Sequence, residues 1–144
     1  MDLNLTDVTA DNWRDVADLA PRDDQRDFVP ALAARYLLLG TWEDTWHNLG
    51  AFEGETAVAH VMHAVDPEDG SRWIGGLLVD AAHQGRGVGR RVVELLLERL
   101  RVEPGPVRMS YHPDNVASRA LFTRFGFVET GERVDDERVM ELPG

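Results

Sequence analysis

The chain has 144 residues, 43% of them apolar and 28% charged, enough to bury a hydrophobic core without disulfides or metal. It contains no cysteine, which excludes a disulfide scaffold, a thiol nucleophile and a cysteine zinc site, and suits a reducing cytoplasm. All 15 basic residues are arginine, and the net charge of −11 is uneven: residues 1–70 hold 15 acids against 4 arginines, while the remainder balances at 11 of each. Such a surface disfavours nucleic acid and anionic membranes and suits a cationic partner. On charge alone, solubility or adaptation to high salt is the stronger explanation. No apolar run approaches membrane-spanning length, and the first residues lack the basic start and apolar stretch of a signal peptide. Without repeats, low-complexity linkers or a break in composition, one domain over residues 1–144 is expected.

Leu3, Leu5 and Val8 read as a first strand. Thr9 or Asp11 caps a helix through Trp13, Val16 and Leu19, which Pro21 ends. A second helix is expected over 28–40, stopped by Gly40, then a loop over 41–46. Residues 46–53 and 56–65 read as strands joined at Gly54, and a turn at 66–70 leads to a strand over 72–79. Val92, Val93, Leu96, Leu97 and Leu100 form the apolar stripe of a helix over 89–102, which Pro104-Gly105-Pro106 breaks. A strand over 107–111 follows, then a helix from Asp114 or Asn115 to Phe125, ended by Gly126. Strands over 127–132 and 138–142 close the chain. The order β-α-α-β-β-β-α-β-α-β-β gives a mixed α/β (α+β) fold, a sheet of seven strands flanked by four helices.

The most informative stretch is LLVDAAHQGRGVGRR, residues 77–91. An apolar strand runs into glycines at 85, 87 and 89 and then directly into the amphipathic helix. The first amides of a helix lack intrahelical partners, the helix dipole adds positive potential, and glycines let backbone close around a phosphate. Arg86 and Arg90 add cationic reach. A P-loop requires lysine, which the chain lacks, and the dinucleotide pattern from Gly85 would need glycine where Arg90 stands. What remains is Q-x-x-G-x-G at Gln84, Gly87 and Gly89, which resembles the coenzyme motif of the GNAT superfamily of acetyl-CoA-dependent N-acetyltransferases. A Gly-rich turn that binds nothing is the competing reading.

A second stretch, NVASRALFTRFGF (115–127), is similar to that superfamily's other motif through Asn115, Ser118, Leu121, Phe122, Gly126 and Phe127. By itself it reads as an amphipathic helix with a glycine cap. The resemblance implies acetyl-CoA as cosubstrate, without metal. It implies coenzyme contacts at Leu77, Leu78, Val79, Gln84, Gly85, Arg86, Gly87, Val88, Gly89, Arg90, Asn115, Ser118 and Phe122. It also implies direct transfer to an amine, aided by a backbone N–H at 77–79 that polarises the thioester carbonyl. The chain departs from the family at Phe122, where many members have a tyrosine thought to protonate the leaving thiolate. Tyr111 and Ser118 are the catalytic candidates in its place, with His112 a further neighbour. Tyr111 reads equally as a packed strand residue.

Before attack the amine must lose a proton, and Glu43, Asp44, His60, His63 and His83 are candidate bases with none singled out. The five histidines show no trusted metal-ligand spacing. In relatives the first helices cover the acceptor. Here that region carries Asp23, Asp24, Asp27, Glu43 and Asp44 among Phe28, Trp42 and Trp46. Asp24, Phe28, Trp42, Glu43 and Trp46 are the candidate substrate contacts, since carboxylates with aromatic walls suit a cationic amine. Solvated acids over core aromatics explain the pattern equally well. Gln25, Phe28, Val29, Pro30 and the strand around Trp73 and Ile74 are similar to bacterial spermine/spermidine N-acetyltransferases, which makes a polyamine the first candidate. A protein N-terminus, an amino acid and an antibiotic amine remain open, as does a CoA-binding module with little catalysis. The resemblance also allows a homodimer.

Overall fold

A computed structural model of the protein describes residues 1–43 and 45–144. Asp44, one of the candidate bases, lies outside the described residues. The elements are β1 (Leu3–Asp7), α1 (Trp13–Ala17), α2 (Ala34–Trp42), β2 (His47–Glu53), β3 (Thr56–Val65), β4 (Arg72–Val79), α3 (Val88–Leu100), β5 (Val107–Tyr111), α4 (Val116–Arg124), β6 (Val128–Val134) and β7 (Glu137–Leu142). Seven strands form one sheet in the order β1-β2-β3-β4-β5-β7-β6. Only β4 and β5 pair in parallel; the other neighbours are antiparallel. The chain expected from the sequence is therefore the one observed, element for element. No helix among the described residues is long and apolar enough to cross a membrane.

Three details of the helices differ. α1 begins at Trp13 after Asn12, with no side-chain cap, so neither Thr9 nor Asp11 caps it. α1 ends at Ala17, four residues before Pro21, although Leu19 stays buried at 5% exposure. α2 starts at Ala34, not Phe28, and runs through Gly40 to Trp42. Pro30 explains the late start, because it donates no N–H and disfavours helical backbone at Val29. Gly40 does not stop the helix because it adopts no left-handed conformation; the exit comes at Glu43, whose backbone is extended.

Each face of the sheet carries its own core. Val92, Val93, Leu96 and Leu97 of α3 and Phe122 of α4 pack with Leu49, Val61, Ile74 and Met109 on one face. Val16, Leu19, Ala33, Phe52 and Leu78 pack on the other, under α1 and α2. Ile74 and Leu78 are four residues apart on one strand yet face opposite cores. A regular strand would put them on the same side. The cause is a bulge: β3 pairs His60 with Leu78 but Met62 with Gly75, so Gly76 and Leu77 together oppose Val61. Gly76 accommodates this with φ +59°.

Candidate active site

The parallel β4–β5 ladder is short. It joins only 72–74 to 107–109, and from Gly75 onward the two strands share no ladder pairs. A cavity of about 530 Å3 fills the gap, bounded by Gly75, Gly76 and Leu77 of β4, Ser110 and Tyr111 of β5, and α4 at Asn115, Ser118 and Phe122. A second cavity, of about 250 Å3, lies against Leu77–Val79, Gln84, Gly85, Gly87, Val88 and Gly89. Leu77, Asn115, Ser118, Phe28 and Val29 line both. The two are one continuous cleft, running from the Gly-rich turn, past the start of α4, into the space between the strands.

The turn is built as the residues require. Gly85 and Gly87 have φ +76° and +81°, conformations that cost any residue with a Cβ about 1–2 kcal/mol. Around Gly85 nothing lies within 4 Å of where a Cβ would stand. Gly89 is helical, so its glycine answers to a different need: bare backbone against the cleft wall. The N–H of Arg91 makes the first bond of the α3 ladder, to the Gly87 carbonyl at 3.1 Å. The amides of Val88, Gly89 and Arg90 are thereby left without helical acceptors. That is the donor set a phosphate group needs.

Neighbouring groups hold the turn in place. The Gln84 amide donates to the Val79 carbonyl at 2.9 Å and exchanges two hydrogen bonds with the Gln25 amide at 2.7 and 3.1 Å. Asp80 accepts from the Ala20 and Ala82 amides at 3.1 and 3.3 Å. Gln84 thus shapes the turn rather than reaching outward. Arg86 is drawn away from the cleft, to Glu53 at 2.8 Å and His83 at 3.0 Å. Arg90 is exposed and makes no ion pair among the described residues.

The larger cavity has aromatic walls: Phe28, Tyr36, Trp46 and Trp73. Two of them rest on bare glycine. A Cβ at Gly75 would stand 3.0 Å from Trp46 ring atoms, and one at Gly76 would stand 3.2 Å from the Tyr36 ring. Tyr36 is backed by His60, stacked at 5.1 Å and 9°. His60 is fully buried, and burial lowers its pKa to about 4, so the ring is neutral. Its Nδ1–H donates to the Gly76 carbonyl at 3.0 Å. Nε2 lies 2.7 Å from the Asn48 side-chain amide, and a neutral ring needs that amide turned so that its NH2 faces Nε2. His60 thereby fixes the bulge and lies behind the cavity wall. Burial and the nearby Glu137 carboxylate raise the Tyr36 pKa to about 12, which keeps the phenol protonated.

The remaining candidates divide clearly. Phe28 and Trp46 line the cavity, and Phe28 reaches across the cleft to within 5.7 Å of the His112 ring. Trp42 and Glu43 line a neighbouring groove that shares Phe28, Val29, Tyr36 and Leu39 with it. Asp24 lines none of these and pairs with Arg22 at 3.3 Å. His63 stacks on His47 at 5.2 Å, away from the cavity, and burial lowers its pKa. His83 likewise lies outside the cavity. Phe122 is 2% exposed, set edge-on to Phe127. Asn115 caps α4 through its side-chain oxygen, which accepts from the Ser118 amide at 3.2 Å. Tyr111 lines the cavity wall, but its hydroxyl donates to Glu129.

Sequence reasoning did not single out Tyr36, the Gly75-Gly76 pair or Glu137, and named Trp73 only for its place in the strand that carries the resemblance. The adjacent glycines inside a strand pattern were the available signal, since such glycines mark bulges and close approach. Nothing in the sequence brings Glu137 to β5.

A glycine turn with free helix amides, opening onto an aromatic-walled cavity between splayed parallel strands, has a geometry that fits an acyl-CoA-dependent acyltransferase. The chain belongs to the acetyltransferase (GNAT) family, whose sequence profile matches residues 8–127, and it is an N-acetyltransferase. It is 25% identical over 150 residues to the spermine/spermidine N(1)-acetyltransferase of Bacillus subtilis (strain 168), with 97% of each chain covered. The spermidine N-acetyltransferase of Vibrio cholerae, solved with CoA and spermine, matches with a TM-score of 0.76 at 16% identity, over 98% of this chain and 95% of that one. Aminoglycoside acetyltransferase AAC(6')-Ib, solved with coenzyme A and kanamycin, matches at 0.75 and 17%, over 99% and 95%. At these identities the structural matches show the shared fold.

Proposed function

We propose that the protein acetylates a primary amine of a small cationic molecule, with a polyamine as the first candidate acceptor. The observation that carries this is the continuity of the two cavities at Leu77, Asn115 and Ser118. A donor seated at the turn and an acceptor seated among the aromatic rings would meet there. The free amides of Val88, Gly89 and Arg90 and the open backbone at Gly85 fit a pyrophosphate. The β4 end and the start of α4 would hold the pantetheine arm. Acetyl-CoA supplies the activated acetyl group as a thioester.

The chain's own contribution is positional. Bringing amine and thioester together in one cleft removes much of the entropic barrier. The amine nitrogen forms the new C–N bond as the C–S bond breaks. The ammonium gives up one proton beforehand, the nitrogen loses a second as the amide forms, and the departing sulfur takes one up. The bulge at Gly76-Leu77, fixed by His60, frees backbone there from the β3 ladder, so that an N–H can face the carbonyl oxygen. Aromatic walls favour a cation. The Bacillus and Vibrio proteins named above as acting on spermine or spermidine support the polyamine reading.

The test is thiol release from acetyl-CoA with a panel of acceptors: spermidine, spermine, kanamycin and a peptide with a free N-terminus. The reading expects the highest kcat/KM with a polyamine. Release with the peptide alone would move the acceptor to proteins, and no release with any of them would refute amine acetylation of this class.

A further inference from the structure

We infer that Glu137 is the group that receives the acceptor's ammonium, and that it makes the cavity selective for cationic amines. This rests on the amine-acetyltransferase reading and names the residue that decides its substrate class.

Glu137 is the first residue of β7 and lines the acceptor cavity. β5 and β7 pair Ser110 with Val139, so Glu137 lies diagonally from Ser110 on the same face of the sheet. The Ser110 hydroxyl donates to Glu137 Oε1 at 2.7 Å and fixes the carboxylate at the wall. The other oxygen has no protein donor among the described residues, and no arginine there lies within ion-pair distance of it. The neighbouring Arg108 is occupied with Asp69 and Glu141, each at 2.8 Å. Asp66, the other carboxylate lining the cavity among the described residues, folds back into its own turn, where Oδ1 accepts from the Glu68 amide at 2.9 Å. Glu137 is therefore a half-buried carboxylate with one free oxygen, no counter-charge, and the Tyr36, Trp46 and Trp73 rings around the same space. The free oxygen leaves the carboxylate able to accept a further hydrogen bond. An ammonium completes it by a charge-assisted hydrogen bond, with the rings adding cation–π attraction. Glu137 also lies close enough to Tyr36 for its charge to help raise the pKa of that phenol, after burial.

The experiment compares wild type, Glu137→Gln and Glu137→Asp by thiol release. KM for spermidine is measured at saturating acetyl-CoA, and KM for acetyl-CoA at saturating spermidine. Loss of a charged hydrogen bond predicts that Glu137→Gln raises KM for spermidine roughly tenfold to a hundredfold. Glu137→Asp should fall between, and KM for acetyl-CoA should stay unchanged in both. A KM for spermidine within twofold of wild type would overturn the assignment. So would a parallel loss in both KM values, which would mean that Glu137 only pins the β6–β7 hairpin to β5. If wild type turns over no amine, the function reading has failed on its own. Glu137 is then judged by calorimetry of spermidine with the CoA-bound protein: binding that Glu137→Gln abolishes supports the inference, and equal or absent binding overturns it.

Discussion

Replacing Gly76 with alanine should destabilise the protein and damage acceptor binding while leaving the coenzyme turn intact. The backbone there has φ +59°, and a Cβ in that conformation costs about 1–2 kcal/mol. The new methyl would stand 2.7 Å from Met62 Cε and 3.2 Å from two atoms of the Tyr36 ring. The methionine tip can swing aside, at about 0.5–1.5 kcal/mol if it leaves its rotamer. Tyr36 cannot retreat, because His60 is stacked behind it. The sum is about 1.5–3.5 kcal/mol, which at this size lowers Tm by roughly 5–12 °C. Scanning calorimetry measures the shift, and titration with acetyl-CoA and with the acceptor separates the two sites. The expected pattern is lower Tm, weaker acceptor binding and unchanged acetyl-CoA affinity. A Tm within about 1 °C of wild type would refute the reasoning that the bulge conformation and the Tyr36–His60 stack are rigid.

His60 makes stability depend on pH. Its pKa falls from 6.5 to about 4 on folding, so its contribution is complete above 6.5 and is lost as pH drops from there through 4. Between pH 7.5 and 4.5, urea unfolding should show wild type losing about 2 kcal/mol more than His60→Gln; equal losses would contradict a neutral buried ring. Tyr111→Phe removes a hydroxyl already engaged by Glu129, so kcat should stay within twofold of wild type while stability falls by about 1 kcal/mol. A tenfold drop in kcat would instead make Tyr111 the proton donor. Phe122→Tyr restores a hydroxyl to the cavity and should raise kcat roughly tenfold if sulfur protonation limits turnover; an unchanged kcat would show that it does not.

The order of strands and helices was legible because each has a clear period or a glycine or proline at its end. The glycine turn before α3 was legible for the same local reason: glycines at 85 and 87 directly precede an amphipathic helix, and both adopt positive φ. The aromatic-walled cavity was legible only in part, since it is assembled from distant segments. Phe28 and Trp46 reach it, whereas Asp24 turns to Arg22 and Trp42 stays 85% exposed in the neighbouring groove. The β4 bulge hides in a strand whose sequence looks regular, yet it sends Ile74 and Leu78 to opposite cores. Glu137 is carried to Ser110 by the β5–β7 register, which local sequence does not encode.

The central claim is that the Gln84–Arg90 turn seats the phosphates of acetyl-CoA. Calorimetric titration of acetyl-CoA into wild type and Gly87→Val tests it directly, with far-UV circular dichroism to verify folding. At φ +81° valine must distort the turn. The account predicts one-site binding to wild type and at least a roughly tenfold weaker affinity in a folded Gly87→Val protein. Equal affinity in the two proteins would place the coenzyme elsewhere, and absence of binding to wild type would contradict the account as a whole.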